Sequence, residues 1–600
     1  MRKQTYILLI AAIILVFVNP VQGTEIMSLD EVKTGMDGRG LTVFKGTEVS
    51  EFPFEVIDII EDSGLDEDLI LVKTGGEKIK EVGGIASGMS GSPLYVDDKL
   101  IGAIAFGWED GDSEYALATP IEKMMDLMEE ADKKETNEID IEFEDLKTPL
   151  MVSGLKGRAL DNLKDDLSHF DFKVYPGSNL EEESESKELR PGSAVAVQLV
   201  RGDINVSSIG TLTYVNDDKI LAFGHPFTNR GEVSYLLSRA KINETIPSQS
   251  QPFKLGGPVG EPEGMVSVDR GAGVAGNLSQ FPDIIPVNIT VRDRDRDKEK
   301  NINVQMIKDE KFLTSLGSNI ALQSLDSVLD RVGKGTAWSE INLTGSGLPD
   351  MKVSRKNMFY SRDDIAASSL QDFYQLLDII SSNPFRRVNL MNVRMEIEVE
   401  KSDKLALVKE AEVLNEEIHP GDELDLEVSI QPYRGDPYKK VVSIELPEDM
   451  ETGMSNLVIS GGYLAYTGQE SYEPAEDMSE EQRQVQTSSY TSLEEMLEDY
   501  KSIPQNNELM VQVYPGYQEA QPVNDIPEEE DEDMENNPEQ DVPEEPEEVK
   551  PEGEEAEGEG TRPEIRETYS TDYVLEGSLN LNVEIENGEE KEREDDVESD

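Results

Sequence analysis

The sequence contains no cysteine in 600 residues, which excludes disulfide bonds and thiolate metal sites. It holds only three histidines, and their spacing does not suit a metal centre. Lysine and arginine total 55 against 126 aspartates and glutamates, so the formal net charge is −71. This charge disfavours nucleic acid and anionic membranes as partners. Walker and dinucleotide-binding loops are also absent, and we predict no cofactor and no metal.

The first 23 residues have the pattern of a secretory signal peptide. A basic start, MRKQ, precedes an apolar run from Tyr6 to Val18 and a small-residue exit at Gly23. The run is short for a membrane span, so we expect cleavage near Gly23, with Thr24 opening the mature chain. An uncleaved anchor is the alternative. No later segment is apolar enough to cross a bilayer, which predicts a secreted or extracytoplasmic protein with no membrane span after cleavage.

Short alternating strands separated by turn residues predict a mainly β protein. A run that includes PEEEDEDMENNPEQDVPEE predicts a disordered acidic linker near the C-terminus, since like charges repel and little is apolar. We predict two strand-rich halves of one core, then a mixed α/β region and a β-sandwich-like domain. The boundaries are 1–23 for the signal, 24–145 and 146–293 for the two halves, 294–390 for the mixed region, 391–515 for the sandwich, 516–565 for the linker, and 566–600 for a terminal strand and acidic tail.

The stretch GGIASGMSGSPLYVDDKLIGAIAFGW carries the strongest chemical signal. Acyl transfer needs a nucleophile, a base, and hydrogen-bond donors for the oxyanion. GMSGSP offers Ser90 between Gly88 and Gly91, whose backbone freedom lets the amides of Gly88 and Ser90 point into one cavity. A Gly-Ser turn that merely joins two strands is the alternative.

Among the three histidines, His225 is the best candidate for the base. It follows a hydrophobic strand directly and stands between Gly224 and Pro226 in LAFGHPFTNRG, where a side chain can be held rigidly. His169 and His419 lie in polar segments and are expected to be solvated. A packed loop histidine is the alternative for His225.

The serine stretch, with its hairpin and Ala-x-Pro entry to a helix, resembles the C-terminal barrel of chymotrypsin-fold peptidases. Together with SSIGTLTYVNDDKILAFGHPF, it resembles the serine peptidase domain of the stage IV sporulation protein B (SpoIVB) family, over roughly residues 26 to 290. The resemblance implies a chymotrypsin-like double β-barrel, with Ser90 as nucleophile, His225 as general base, and the backbone amides of Gly88 and Ser90 as the oxyanion hole.

The same resemblance implies a serine endopeptidase that cleaves a narrow set of protein or peptide substrates, with the chain itself among the candidates. A catalytically inactive scaffold, or a binding protein of the cell envelope, is the alternative. The sequence carries no signal for an oligomeric state.

The third member of a triad is the weak point of the resemblance. The serine block precedes the histidine block, the reverse of the SpoIVB order, and Gly75 stands where that family has its aspartate. Glu77 and Glu81 are nearby, in what reads as an exposed turn. We predict Asp203, in VRGDINVSSIGT, as the best substitute, with a turn-capping role as its alternative. Asp269 is a weaker candidate, and a carbonyl or water could also orient the imidazole.

The acidic composition predicts that salt stabilises the fold. Salt screens charges over about 8 Å at physiological ionic strength and over shorter distances at molar levels, which weakens self-repulsion. The melting temperature, followed by circular dichroism, should therefore rise as sodium chloride increases from low to molar concentration. A melting temperature that stays flat or falls contradicts this expectation.

Overall fold

The computed structural model describes residues 24–60, 68–107, 113–130, 149–170, 172–177, 188–248, 251–462, 490–515 and 565–587. Of the described residues, 52% lie in strands and 18% in helices, which confirms the predicted mainly β class. The contacts divide the described residues into two compact units. The first takes those of Met1–Lys356, Ser361–Lys401 and Gln484–Glu498, and the second those of Asn357–Tyr360, Ser402–Arg483 and Asp499–Asp600.

The serine-bearing half forms a closed six-stranded barrel in the order β1-β2-β3-β6-β5-β4. Alternation along β2 turns Phe52, Phe54 and Val56 into the barrel core. Asp97 and Asp98 both have positive φ, 49° and 63°, as a two-residue hairpin turn of type I′ requires. The strands are β1 (Asp37–Thr42), β2 (Ser50–Ile60), β3 (Leu69–Thr74), β4 (Pro93–Val96), β5 (Lys99–Phe106) and β6 (Tyr115–Pro120). A 3₁₀ turn (Leu29–Glu31) and helices α1 (Glu77–Val82) and α2 (Ile121–Glu130) complete this half.

The histidine-bearing half forms a second closed ring of strands inside a larger, 13-stranded sheet. Its six antiparallel pairings run β9-β12-β13-β14-β11-β10 and return to β9. The two rings together give the double β-barrel architecture that the family resemblance implied. The elements are β7 (Pro149–Ser153), α3 (Arg158–Asp166), a 3₁₀ turn (Ser168–Phe170), β8 (Lys173–Pro176), β9 (Ala194–Gly202), β10 (Asn205–Asn216), β11 (Lys219–Ala222), β12 (Gly231–Ile246), β13 (Phe253–Arg270) and β14 (Gly273–Asn277).

The large sheet continues beyond the second barrel in the order β9-β16-β15-β19-β17-β18. Its long helix α4 is capped by Asp309, whose side chain accepts from the Lys311 N–H, and most of its residues are buried. The elements are β15 (Ile284–Asp293), β16 (Lys298–Ile307), α4 (Glu310–Leu329), β17 (Gly335–Ser346), a 3₁₀ turn (Pro349–Met351), β18 (Lys352–Ser361), α5 (Ile365–Ser368), α6 (Gln371–Ser382) and β19 (Asn389–Glu400).

The second unit contains two four-stranded sheets, ordered β22-β21-β20-β26 and β25-β24-β23-β27, that share one apolar core. Its elements are β20 (Leu405–Val413), β21 (Glu423–Pro432), β22 (Tyr438–Glu445), β23 (Gly453–Gly461), β24 (Glu508–Tyr514), β25 (Ile565–Ser570), β26 (Val574–Glu576) and β27 (Ser578–Ile585), and helix α7 (Leu493–Ser502) precedes β24. Strands after the acidic segment thus complete both sheets of a sandwich. The sequence prediction began the sandwich at residue 391, within β19. In the structure β19 pairs with β15 and β17 of the large sheet instead.

Three predicted segments lie wholly or partly outside the described residues: the signal at 1–23, the linker at 516–565 except Ile565, and the acidic tail from 588 onward. Within the described part of the chain, none of the helices has the length and apolar composition that a bilayer crossing demands.

Candidate active site

The loop that carries Ser90 consists of two consecutive tight turns. The Met89 N–H donates to the Ala86 carbonyl at 2.8 Å, and the Ser92 N–H donates to the Met89 carbonyl at 2.9 Å. Gly88 and Gly91 occupy the third position of each turn with φ of 91° and 86°. A type II turn needs positive φ at that position, which explains why both residues are glycine.

The turns leave two backbone amides without a partner. The carbonyl that precedes Gly88 accepts from the Lys254 N–H at 3.0 Å, and the carbonyl that precedes Ser90 closes the second turn. In a trans peptide the N–H points opposite to the C=O, so the amides of Gly88 and Ser90 point away from these partners. Neither amide donates to another described residue. Two unpaired N–H groups beside a serine have the composition of an oxyanion hole.

The loop packs directly against the second barrel and is hydrogen-bonded to it. The Thr211 N–H donates to the Ser90 carbonyl at 2.8 Å, and the Thr213 hydroxyl donates to the Gly91 carbonyl at 2.8 Å. A Cβ on Gly91 would lie 2.0 Å from the Thr211 oxygen and 2.4 Å from the Phe223 nitrogen. Only glycine fits between the two backbones at this point.

His225 follows strand β11 through a turn in which Phe223 and Gly224 both have positive φ, 70° and 73°. Its Nδ1 lies 2.7 Å from the Pro226 carbonyl. A carbonyl can only accept, so this bond requires the proton on Nδ1 and leaves a lone pair on Nε2. The His225 side chain is fully buried, and Nε2 has no hydrogen-bond partner among the described residues. The orienting group is therefore a backbone carbonyl, one of the alternatives considered from sequence.

The serine and histidine motifs meet at Ile104 of strand β5. The Gly91 N–H donates to the Ile104 carbonyl at 2.7 Å, and a Cβ on Gly224 would lie 2.9 Å from the same oxygen. The structure contains no hydrogen bond between Ser90 Oγ and His225 Nε2, and both atoms are buried without a described partner. Catalytic hydrogen bonds are often long before substrate binds, so the missing bond does not by itself separate the two residues functionally.

The carboxylate next to His225 is Asp269 rather than Asp203. Asp269 is fully buried on strand β13 and accepts from the Phe227 N–H at 2.7 Å and from the Thr228 N–H and hydroxyl, both at 2.6 Å. Burial raises the pKa of Asp269, while these bonds and the nearby imidazole of His225 oppose the rise.

Asp203 is exposed in the turn between β9 and β10. Its carboxylate accepts from the Asn303 N–H at 2.7 Å, and its own N–H donates to the Asn303 carbonyl at 3.0 Å. Asp203 thus makes the turn-capping contacts that were its alternative, and Asp269 is the aspartate that lies near the His225 imidazole.

A polar network extends from Asp269 toward the first turn of α4. The Thr228 hydroxyl lies 3.1 Å from the Tyr235 hydroxyl, which lies 3.4 Å from Asp309, and Asp309 forms an ion pair with Arg230. Burial raises the pKa of Tyr235, so this phenol stays protonated. The network keeps Thr228, and through it the Asp269 carboxylate, in one orientation.

The remaining sequence candidates take no part in this site. His169 is exposed against Phe170, and His419 contacts Asp422 in the second unit. Glu77 and Glu81 are exposed on helix α1, so the segment read as a turn is a short helix. Among the described residues, no three histidine, aspartate or glutamate side chains come together as a metal site.

Lys254, which sequence reasoning missed, is fully buried beneath the Ser90 loop. Its stem would lie 3.2 Å from a Cβ on Gly88, and its amine donates to Thr42 and Thr211. Burial lowers the pKa of Lys254 to about 7. Nothing in the local sequence QPFKLGG signals a buried amine, since lysine in a strand ordinarily faces solvent.

Residues 17–125 match the sequence model of a family described as SpoIVB peptidase S55. The resemblance to SpoIVB-type serine peptidases is therefore confirmed over this segment, which includes Gly88 and Ser90. His225 and Asp269 lie outside the matched residues. No curated protein and no solved structure matches the chain.

The close approach at Gly91 predicts that Gly91→Ala is severely destabilising. The new methyl group would overlap the Thr211 carbonyl, and alanine disfavours a φ of 86°. We expect a loss of about 2–4 kcal/mol in the free energy of unfolding, measured by urea denaturation.

Gly75→Ala is the matched control, because a Cβ there would contact nothing within 4 Å. It should change the free energy of unfolding by no more than about 0.5 kcal/mol. If Gly91→Ala changed the free energy of unfolding as little as Gly75→Ala, the close contact between the loop and the second barrel would be contradicted.

Proposed function

We propose that this chain is a secreted or extracytoplasmic serine endopeptidase of the SpoIVB type. It cleaves a narrow set of protein substrates, with the chain itself among the candidates. The observation that carries the proposal is the arrangement around Ser90: two unpaired amides in its own loop, and a buried histidine, with its Nε2 lone pair available, docked against the same strand.

In the first step, Ser90 Oγ attacks the carbonyl carbon of the scissile peptide while His225 Nε2 takes the hydroxyl proton. The carbonyl oxygen gains negative charge and accepts from the amides of Gly88 and Ser90. The Nδ1–H of His225 keeps its bond to the Pro226 carbonyl, so the ring does not rotate as it becomes charged.

In the second step, His225 returns the proton to the leaving amine, and an acyl-enzyme remains on Ser90. Water then attacks the acyl carbon, with His225 again as base, and releases the carboxylic acid product. The buried carboxylate of Asp269 stabilises the imidazolium in both steps through its charge.

Secretion is supported by the signal-like sequence of residues 1–23, which has the length and flanks of an exported segment. The narrow substrate range is inferred from the family resemblance, and protein substrates fit the chemistry of the matched family.

One observation favours the inactive scaffold as a second candidate. Ser90 and His225 are 1% and 0% exposed, so a substrate cannot reach them unless the site opens. The hydroxyls of Ser87 and Ser92 are also buried without a described partner, so an unpaired hydroxyl does not by itself identify the nucleophile. Under this reading the double barrel would support a binding role in the cell envelope.

Fluorophosphonate labelling separates the two candidates. An activated serine reacts with this probe, and an ordinary buried hydroxyl does not. Ser90→Ala should abolish labelling, and His225→Ala should lower its rate by about 10²–10⁴-fold, because removing one member of such a unit costs orders of magnitude. The rate is measured by mass spectrometry of the intact protein in molar salt.

Ser92→Ala is the internal control, since Ser92 is buried in the same loop but is the last residue of the second turn, and its own N–H is bonded to the Met89 carbonyl. It should keep most of the labelling. A folded wild-type protein that is not labelled at neutral or alkaline pH would end the peptidase proposal and leave the scaffold.

We expect different labelling rates when Asp269 and Asp203 are each replaced by asparagine. Asp269→Asn should lower the labelling rate by about 10–100-fold, because a neutral amide no longer stabilises the imidazolium. Asp203→Asn should leave the rate unchanged, because that side chain caps an exposed turn. Labelling rates and melting temperatures are measured on both variants. If Asp203→Asn were labelled slowly and Asp269→Asn at the wild-type rate, Asp203 would be the carboxylate that supports His225.

A further inference from the structure

The buried amine of Lys254 joins the two barrels. Lys254 is the second residue of β13, and its Nζ donates to the Thr42 hydroxyl on β1 at 2.8 Å and to the Thr211 hydroxyl on β10 at 3.3 Å. Lysine is almost never fully buried without an anionic partner, because removing its charge from water is costly. Such a lysine needs a reason beyond packing.

Three contacts connect Lys254 to the proposed oxyanion loop. Its backbone N–H donates to the Ser87 carbonyl, and its stem fills the space beneath Gly88. The third contact runs through Thr211, whose hydroxyl accepts a hydrogen bond from the Lys254 amine and donates one to the Gly88 carbonyl at 3.1 Å. The peptide groups on both sides of Gly88 are thereby fixed, and with them the direction of the Gly88 N–H.

The pairing suits the neutral amine. A neutral amine has two N–H groups, and two hydroxyls accept them; an ammonium would have a third with no described acceptor. Lys254 contacts β1, β10 and the Ser90 loop through hydroxyl and backbone groups, and it pairs with Thr245 of β12. No described carboxylate acts on its pKa. Burial alone thus lowers the pKa of Lys254 to about 7.

We propose that neutral Lys254 is a positioning residue for the peptidase site, which acts through Thr211 and the Gly88 peptide to hold the oxyanion-hole N–H in place. The inference rests on the proposed function, since a donor needs positioning only if an oxyanion forms. Protonation of Lys254 would add a donor without a partner and disturb the Gly88 turn.

The test measures fluorophosphonate labelling of Lys254→Met between acid and alkaline pH. Methionine keeps most of the stem volume and removes the amine. The rate should fall about 10–100-fold, because a small displacement of an oxyanion donor costs this much. In the wild type, the acid limb of the rate should include the proton that Lys254 must lose. In Lys254→Met this contribution should disappear and the acid limb should become less steep, a change that a purely structural role would not produce.

Thr211→Val is the second variant, and it tests the same link to Gly88 if Lys254→Met does not fold. It removes the hydroxyl between the amine and Gly88 and retains the backbone N–H that holds the Ser90 carbonyl. It should reduce the rate similarly, and the double variant should lose no more than either single one. Lys45→Met, at an exposed lysine paired only with Glu244, is the control and should keep the wild-type rate.

Stability provides a readout independent of labelling. The pKa of Lys254 is lower in the folded state than in the unfolded chain, so the unfolded chain binds more protons between pH 7 and the ordinary lysine range. The free energy of unfolding should therefore rise with pH in that window, and Lys254→Met should lose this rise.

Lys254→Met and Thr211→Val proteins that fold and keep the wild-type rate and acid limb overturn this inference and leave the proposed function standing. A folded wild-type protein that never labels overturns the proposed function, and the positioning role falls with it.

Discussion

The site depends on one steric constraint, the absence of a side chain at Gly91. The Ser90 loop and the β10–β11 hairpin approach until a Cβ on Gly91 would overlap the Thr211 carbonyl. At that separation the Thr211 N–H reaches the Ser90 carbonyl and the Thr213 hydroxyl reaches the Gly91 carbonyl. One glycine therefore lets two blocks more than 100 residues apart form a single polar interface.

The side chains at that interface are buried, so their polar groups need partners inside the protein. An unpaired buried hydroxyl or imidazole nitrogen costs about 1–3 kcal/mol, which selection tolerates where chemistry requires it. Ser90 Oγ and His225 Nε2 have no partner among the described residues, whereas the carbonyls of the Ser90 loop accept hydrogen bonds. Lys254 is the other unusual group, a buried amine with hydroxyls as its only described acceptors. Four buried side-chain atoms without a described partner lie at this interface, on Ser87, Ser90, Ser92 and His225.

Sequence patterns predicted the parts of this site that are local. The glycines of GMSGSP indicate the tight turns, and LAFGHPF indicates that a strand ends just before His225. The acid was not local: Asp269 reaches the histidine region because β13 pairs with β12 and β14, a choice of partners that alternation cannot specify. Lys254 was missed for the same reason. Strand β19 alternates equally well in a sandwich and in the large sheet, so its pattern could not assign it.

The most direct test of this account is a crystal structure of the protein after reaction with a fluorophosphonate. The account predicts a phosphonyl group on Ser90 Oγ, its oxygen within hydrogen-bond distance of the Gly88 and Ser90 amides, and His225 Nε2 turned toward the adduct. A phosphonyl oxygen that faces away from both amides, or an adduct on Ser87 or Ser92, would contradict it.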